Sequence, residues 1–281
     1  MIIDSHHHFW DPKARKYPWM QGDILDPIRR RFDQDDFEPL LKQHGVDGTV
    51  IVQTVSDIEE SIEFLAVAGS WNRIKGVVGW VDLTSKDVAM QIDLLKRSPG
   101  GEKLVGIRHQ VHDEPDLEWL LRPDVLNGIA ECHKAELAYD LLLKEPHMPA
   151  AIACVDKLPD VRFVVDHISK PRIAAAEMDP WYDLIGQLAQ RPNVDCKVSG
   201  MVTEANWDKW KVENFQPYFD RVLEVFGANR LMYGSDWPVC VIAGGYVKII
   251  DLAKALAEGL SEAEKDSLFG KTAIGSYRLS V

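Results

Sequence analysis

The sequence predicts an α/β protein, a single (β/α)8 (TIM) barrel domain over residues 1–281, and three observations predict it. Eight short apolar runs recur along the chain, most of them nearly continuous, as suits parallel strands covered on both faces. Segments of helical periodicity separate them, and eight strand–helix units fit a chain of 281 residues. The first run ends in histidines, where a doubly wound open sheet, the competing architecture, would carry a G-x-G-x-x-G phosphate turn. No linker rich in Pro, Gly or Ser divides the chain.

Taken in order, Ile2–His8 is the first strand. The strand-free stretch Trp10 to Arg31, the longest in the chain, is expected to fold over the barrel mouth, before a helix over Phe37–His44. Thr49–Val55 and Lys75–Leu83 follow as strands, each ahead of a periodic segment, Ile58–Trp71 and Asp87–Arg97. Leu104–Val111 precedes a helix over Leu117–Lys134, and Leu137–Leu143 one over Ala150–Lys157. Arg162–Ile168 and Trp181–Gln190, then Val194–Gly200 and Phe215–Phe226, make the sixth and seventh pairs. The last strand is Leu231–Trp237, and Ser261–Tyr277 closes the chain.

Composition narrows the function. With 46% hydrophobic and 27% charged residues this is an ordinary globular chain, and no apolar stretch is long enough to span a membrane. The first residues carry no basic region ahead of an apolar core, so a cytoplasmic protein is expected. The net charge of −12 argues against nucleic acid as a partner. Cys132, Cys154, Cys196 and Cys240 lack paired short spacing, so free buried thiols are expected rather than a disulfide or zinc-ribbon framework. A homo-oligomer remains open, since exposed barrel helices can pair.

Functional side chains of such barrels stand where the strands run out at their C-terminal ends. Along the first strand His6 and His8 point one way and His7 the other, and two imidazoles side by side can form half of a metal site. The fourth strand carries Arg108 and His109, the fifth Tyr139 and Asp140, the sixth ends in Asp166-His167, the seventh holds Lys197 and Ser199, and the eighth ends Ser235-Asp236-Trp237. Each alone has an ordinary explanation: a surface histidine cluster, a capping aspartate, an internal ion pair. Titratable groups from several strands converging on one mouth are costly unless paired or bound to something.

His-x-His ending the first strand, histidine ending the sixth and aspartate ending the eighth resemble the amidohydrolase superfamily. Four phrases are similar to its sugar-lactonase branch: Ile3-Asp4-Ser5-His6-His7-His8-Phe9-Trp10, Gly106-Ile107-Arg108-His109, Val165-Asp166-His167-Ile168-Ser169-Lys170-Pro171 and Tyr233-Gly234-Ser235-Asp236-Trp237-Pro238. Many members add a histidine on the fifth strand and a bridging lysine or glutamate on the fourth. Tyr139-Asp140 and Arg108-His109 stand there instead, which points away from two metals. The resemblance implies one divalent metal, zinc, on His6, His8, His167 and Asp236, or catalysis without metal as in some relatives.

It also implies a small-molecule sugar (aldono) lactone, such as L-fucono- or L-rhamnono-lactone, as substrate. Asp236 is then the general base and afterwards general acid, with His167 a ligand or a donor to the carbonyl. Arg108, His109, Tyr139 and Lys197 are candidates to bind hydroxyls or a carboxylate, and Trp10, Trp80 and Trp237 to stack on the sugar. The competing readings are a pyrone- or muconate-type carboxylated lactone, a metal-dependent decarboxylation, and a barrel that binds a sugar acid without turnover. Acidic substrates favour several arginines at the mouth, where Arg108 and, after the sixth strand, Arg172 are the candidates.

Overall fold

A computed structural model describes residues 1–281. Its eight strands are β1 (Ile3–His7), β2 (Gly48–Val52), β3 (Ile74–Gly79), β4 (Leu104–His109), β5 (Ala138–Leu141), β6 (Phe163–Val165), β7 (Val194–Val198) and β8 (Leu231–Tyr233), all parallel and paired in sequence order. The barrel closes through a bridge rather than a ladder. His7 faces Trp237, His8 N–H donates to the Trp237 carbonyl (2.7 Å), and Asp236 N–H donates to the His6 carbonyl (2.8 Å). The Asp4 carboxylate reinforces this seam, accepting from Ser235 N–H at 2.8 Å and His6 N–H at 3.2 Å.

The helices are α1 (Gln34–His44), α2 (Ile58–Ser70), α3 (Val88–Arg97), α4 (Pro123–Lys134), α5 (Met148–Lys157), α6 (Trp181–Ala189), α7 (Val212–Phe226), α8 (Tyr246–Leu256), α9 (Glu262–Asp266) and α10 (Thr272–Tyr277). Local chemistry sets several boundaries. Asp33 and Asp57 cap α1 and α2 by accepting backbone N–H bonds, and Gly45 ends α1 in the left-handed conformation. Helix α4 starts at Pro123, whose ring holds Arg122 extended; the predicted Leu117–Lys134 helix is therefore shorter, preceded by a separate 3-10 turn at Trp119–Leu121. Helix α8 follows the last strand without a sequence signal at its start, where Gly245 offers no side-chain cap.

Alternation along the strands builds two cores. Ile51, Val77, Ile107, Phe163, Cys196 and Leu231 face the helix layer, whereas Ile3, Val50, Val78, Ala138, Val164 and Met232 fill the lower barrel interior. Ala273, Tyr277 and Leu279 of the C-terminal segment close that interior from below. Above this apolar floor lies a polar layer of buried Arg108, Asp140, Asp166, Lys197 and His6. The loop after β1 folds across with the Trp10 indole donating to the Ile28 carbonyl at 2.9 Å. No helix is long and apolar enough to cross a membrane.

Candidate metal-binding active site

The side chains at the mouth are fixed from below. His8 Nδ1 lies 2.7 Å from the Val52 carbonyl, which only an N–H can satisfy, so its Nε2 presents a lone pair to the barrel axis. His6 is wholly buried, with Asp166 Oδ1 3.4 Å from its Nδ1. His167 Nδ1 meets the Ser199 hydroxyl at 2.8 Å. Burial holds His6 well below the usual histidine range and takes His167 down to about 3, so both rings are neutral near pH 7. Burial would raise Asp236, but the neighbouring His167, His8 and Lys170 side chains outweigh it and keep the carboxylate ionised.

Two of these residues sit on unusual backbone. His167, Ile168, Ser169 and Lys170 all have positive φ (48–61°), and Asp236 has φ 56°. Left-handed backbone costs about 1–2 kcal/mol per non-glycine residue and persists where the surroundings over-determine it, commonly at functional sites. Here the Trp181 indole donates to the Ile168 carbonyl (2.7 Å) and Lys170 pairs with Glu204 (2.9 Å). Gly200 packs directly against the His167 ring.

Neutral imidazoles beside an ionised carboxylate form a donor set for a divalent cation. One atom each from His6, His167 and Asp236 lie within 4.8 Å of one another. His8 joins them: its Nε2 is 3.2 Å from His6 Nε2 and 3.3 Å from Asp236 Oδ1. Asp236 Oδ1 is 3.8 Å from His6 Nε2 and 4.0 Å from His167 Nε2. Donors on one tetrahedral zinc stand about 3.3 Å apart, given bonds of about 2.0–2.1 Å. The residues fit a single ion. Arg108 Nη1, 3.3 Å from His6 Nε2, approaches the same lone pair from the side.

These groups border a cavity of about 160 Å³ at the C-terminal ends of the strands, lined by His8, Arg108, His167 and Asp236. A larger groove of about 640 Å³ lies at the strand starts, around Arg162 and Asp195, but holds none of the clustered donors. Arg108 is buried and committed, bonding Asp166 at 2.8 Å and Gln53 Oε1 at 2.9 Å. Lys197 is fully buried beneath it, between Asp140 (2.6 Å) and Asp166 (2.9 Å).

The other predicted substrate contacts do not reach the cavity. Tyr139 faces the helix layer and packs on Phe163, because Asp140 takes the inward direction on the same strand. His109 stacks on Trp119 with ring centroids 4.3 Å apart, accepts from the Trp80 indole and pairs with Glu114, so both His109 and Trp80 serve to hold the loop after β4. Trp237 stacks on Phe37 at 4.3 Å, and Trp10 is buried among Tyr17, Trp19 and Phe32. Lys197 is an internal cation. Arg172, weighed for acidic substrates, pairs with Glu145 and Glu177 outside the cavity. Gln110 and Lys170, at the ends of the fourth and sixth strands, also line the cavity, as do residues the sequence gives no role: Trp19, Thr54, His112, Asp113, Leu142 and Val239. Most of these stand on loops or just past strand ends, and a loop's fold is not written in local periodicity.

A closed parallel barrel with histidines and an aspartate gathered over its strand ends defines a hydrolase-type barrel of the amidohydrolase class. The chain belongs to the Amidohydrolase family (Amidohydro_2), whose model matches residues 3–279. It is 40% identical over 246 residues to an L-fucono-1,5-lactonase of Burkholderia ambifaria, covering 87% of this chain and 82% of that protein. A second L-fucono-1,5-lactonase, from Burkholderia multivorans, is 34% identical over 288 residues, 99% of this chain and 96% of the relative. A crystal structure of an amidohydrolase from Burkholderia multivorans with bound zinc superposes over 100% of both chains with a TM-score of 0.93 and 34% identity.

Proposed function

We propose that this protein, acting as one barrel domain, hydrolyses a neutral sugar (aldono) lactone such as L-fucono- or L-rhamnono-lactone to the sugar acid. One zinc ion is held by His6, His8, His167 and Asp236. The observation that carries this reading is the ionised Asp236 carboxylate, set among imidazoles at the floor of a small cavity. At about 160 Å³ the space lies below the roughly 300 Å³ of drug-sized sites and suits a single small ring. The two L-fucono-1,5-lactonases among its relatives and the zinc-bound structure support the same reading.

Opening a cyclic ester needs a water stripped of a proton, a carbonyl made electrophilic and a proton for the departing ring oxygen. The Asp236 carboxylate accepts the proton as water adds to the carbonyl carbon; the same proton then goes to the ring oxygen as the C–O bond breaks, leaving a hydroxy acid. A bound divalent ion supplies Lewis acidity to this site. Arg108, held by Asp166 and Gln53, keeps a fixed positive charge near the oxygen that becomes negative. Ser199 orients His167 from behind.

A carboxylated lactone is disfavoured because the cations bordering the cavity are already paired: Arg108 with Asp166, Lys170 with Glu204. Asp113 and Asp236 add negative charge to the lining. The test is lactone opening followed by pH indicator on sugar lactones and on aromatic and pyrone carboxylates, with elemental analysis for metal. Opening of sugar lactones, lost on chelation and restored by zinc, is expected. Turnover confined to the carboxylates would overturn the substrate class, and full activity in metal-free protein would overturn the zinc.

A further inference from the structure

We propose that Tyr277, on the C-terminal helix α10, is a positioning residue for His6, acting from beneath the barrel through Asp140 and Lys197. The inference rests on the metal-assisted lactonase reading above. Tyr277 is buried under the barrel floor, on the opposite side of the polar layer from the mouth. Its hydroxyl donates to Asp140 Oδ2 at 2.7 Å, and that same oxygen receives Lys197 Nζ at 2.6 Å. The other Asp140 oxygen is buried without a partner, so Tyr277 and Lys197 alone hold the carboxylate in place.

An ammonium only donates, so Lys197 bonds carboxylate oxygens: besides Asp140, Asp166 Oδ1 at 2.9 Å. His6 Nδ1 lies 3.2 Å from the same nitrogen and, carrying the ring proton while Nε2 faces the mouth, turns to Asp166 Oδ1 rather than accepting from Lys197. The Tyr277 ring also lies under the ammonium, 5.3 Å from nitrogen to centroid, so this one side chain supports Lys197 both through Asp140 and directly. Asp166 completes the chain, with Oδ1 beside His6 Nδ1 and Oδ2 on Arg108. Where His6 stands therefore depends on where Lys197 stands, and Tyr277 is the uncharged prop that sets it. Lys197, Arg108, Asp140 and Asp166 are two cations against two anions, closely packed, so a displaced member has no water to turn to.

Partners behind metal-binding histidines typically govern about 10–100-fold in metal affinity or activity. Tyr277 acts at one further remove, and the low end, about tenfold, is expected. The experiment compares Tyr277→Phe with Leu279→Ala, which removes apolar packing from the same floor without touching the charged chain. Zinc affinity is read by competition with a chromophoric chelator, kcat and KM by lactone opening, and stability by thermal melting.

Tyr277→Phe should weaken zinc binding about tenfold and lower kcat with KM held, while Leu279→Ala melts earlier yet keeps zinc affinity and kcat. Wild-type zinc affinity and kcat in Tyr277→Phe would overturn the proposal, as would equal losses in Leu279→Ala. If Tyr277→Phe does not fold, Asp140→Asn repeats the test from the other end of the same bond, with the same two outcomes. Should the wild type bind zinc but open no lactone, the functional reading fails while the zinc comparison still decides the role of Tyr277. Should it open lactones without zinc, the kcat comparison decides alone.

Discussion

Replacing Gly200 by alanine tests how tightly the backbone after β7 is fitted to His167. Gly200 has φ +61°, and a Cβ there would lie 2.5 Å from His167 Nδ1 and 2.6 Å from its Cγ. The left-handed backbone alone costs an alanine about 1–2 kcal/mol. The clash adds about 1–3 kcal/mol if the ring stays, as in other overpacked interiors. If the ring moves instead, its 2.8 Å contact with Ser199 breaks and its Nε2 leaves the Asp236 cluster. A displacement of about 1 Å can cost about 100-fold in rate. Gly45→Ala isolates the backbone share, because Gly45 has φ +66° and nothing within 4 Å of the added Cβ. Denaturant melts and lactone hydrolysis should therefore separate the two variants. Gly45→Ala should lose about 1–2 kcal/mol and keep its kcat. Gly200→Ala should lose more stability and at least about tenfold in kcat, given the cost of misplacing a catalytic group. Equal stability losses with wild-type kcat in both would refute the fit described for His167.

Asp236→Asn should abolish hydrolysis, by at least about 100-fold in kcat, while circular dichroism stays native, since the proton acceptor is lost and the shape kept; wild-type turnover would sink the mechanism. Glu60, buried in the first turn of α2, accepts from the backbone N–H groups of Thr54 and Val55, and burial lifts its pKa to about 7. A raised acid gives stability that is full below its unfolded value near 4.5 and lost as pH rises through about 7, on the order of 3 kcal/mol. Glu60→Gln should flatten that decline in denaturant melts across pH 4–8, and an unchanged slope would remove Glu60 as its source. Arg172→Ala should leave kcat and KM for a sugar lactone unchanged, because Arg172 pairs with Glu145 and Glu177 outside the cavity; a rise in KM would return it to the substrate.

The barrel was legible because its strands are short apolar runs whose count and spacing leave few alternatives, and the donors were legible because they interrupt those runs at their ends. Which strand residues face the interior was also partly written in the sequence. Once Arg108 and Asp140 are placed inward, period-two alternation sends His109 and Tyr139 to the helix layer. Lys197 and Ser199 share the inward parity, and one meets His6 while the other meets His167. Alternation does not say how deep a residue lies, which is why Lys197, expected to touch substrate, is an internal cation. Trp10 and Trp237 show the remaining limit. An indole beyond a strand end looks alike in sequence whether it meets a ligand or Phe37, and only the fold of the loop after β1 distinguishes them.

The seam between β8 and β1 explains why the site sits where it does. Seven strand pairs are joined by ladders, but here closure relies on a bridge, two backbone bonds at His8 and Asp236, and the Asp4 carboxylate. Strand β8 ends at Tyr233, and Asp236 with its φ of 56° turns its carboxylate towards His8 across the seam. A regular ladder would carry the chain onward as a strand, with positive φ excluded. The irregular seam thus admits the backbone that brings an acid just past the last strand within 3.3 Å of a histidine just past the first. Asp4 holds both sides of that join through Ser235 and His6, so Asp4→Asn should loosen the donor cluster as well as the barrel. Its signature is zinc affinity falling further than in an equally destabilised variant of the outer core, Ile185→Val for example; parallel losses in the two would make Asp4 a structural residue alone.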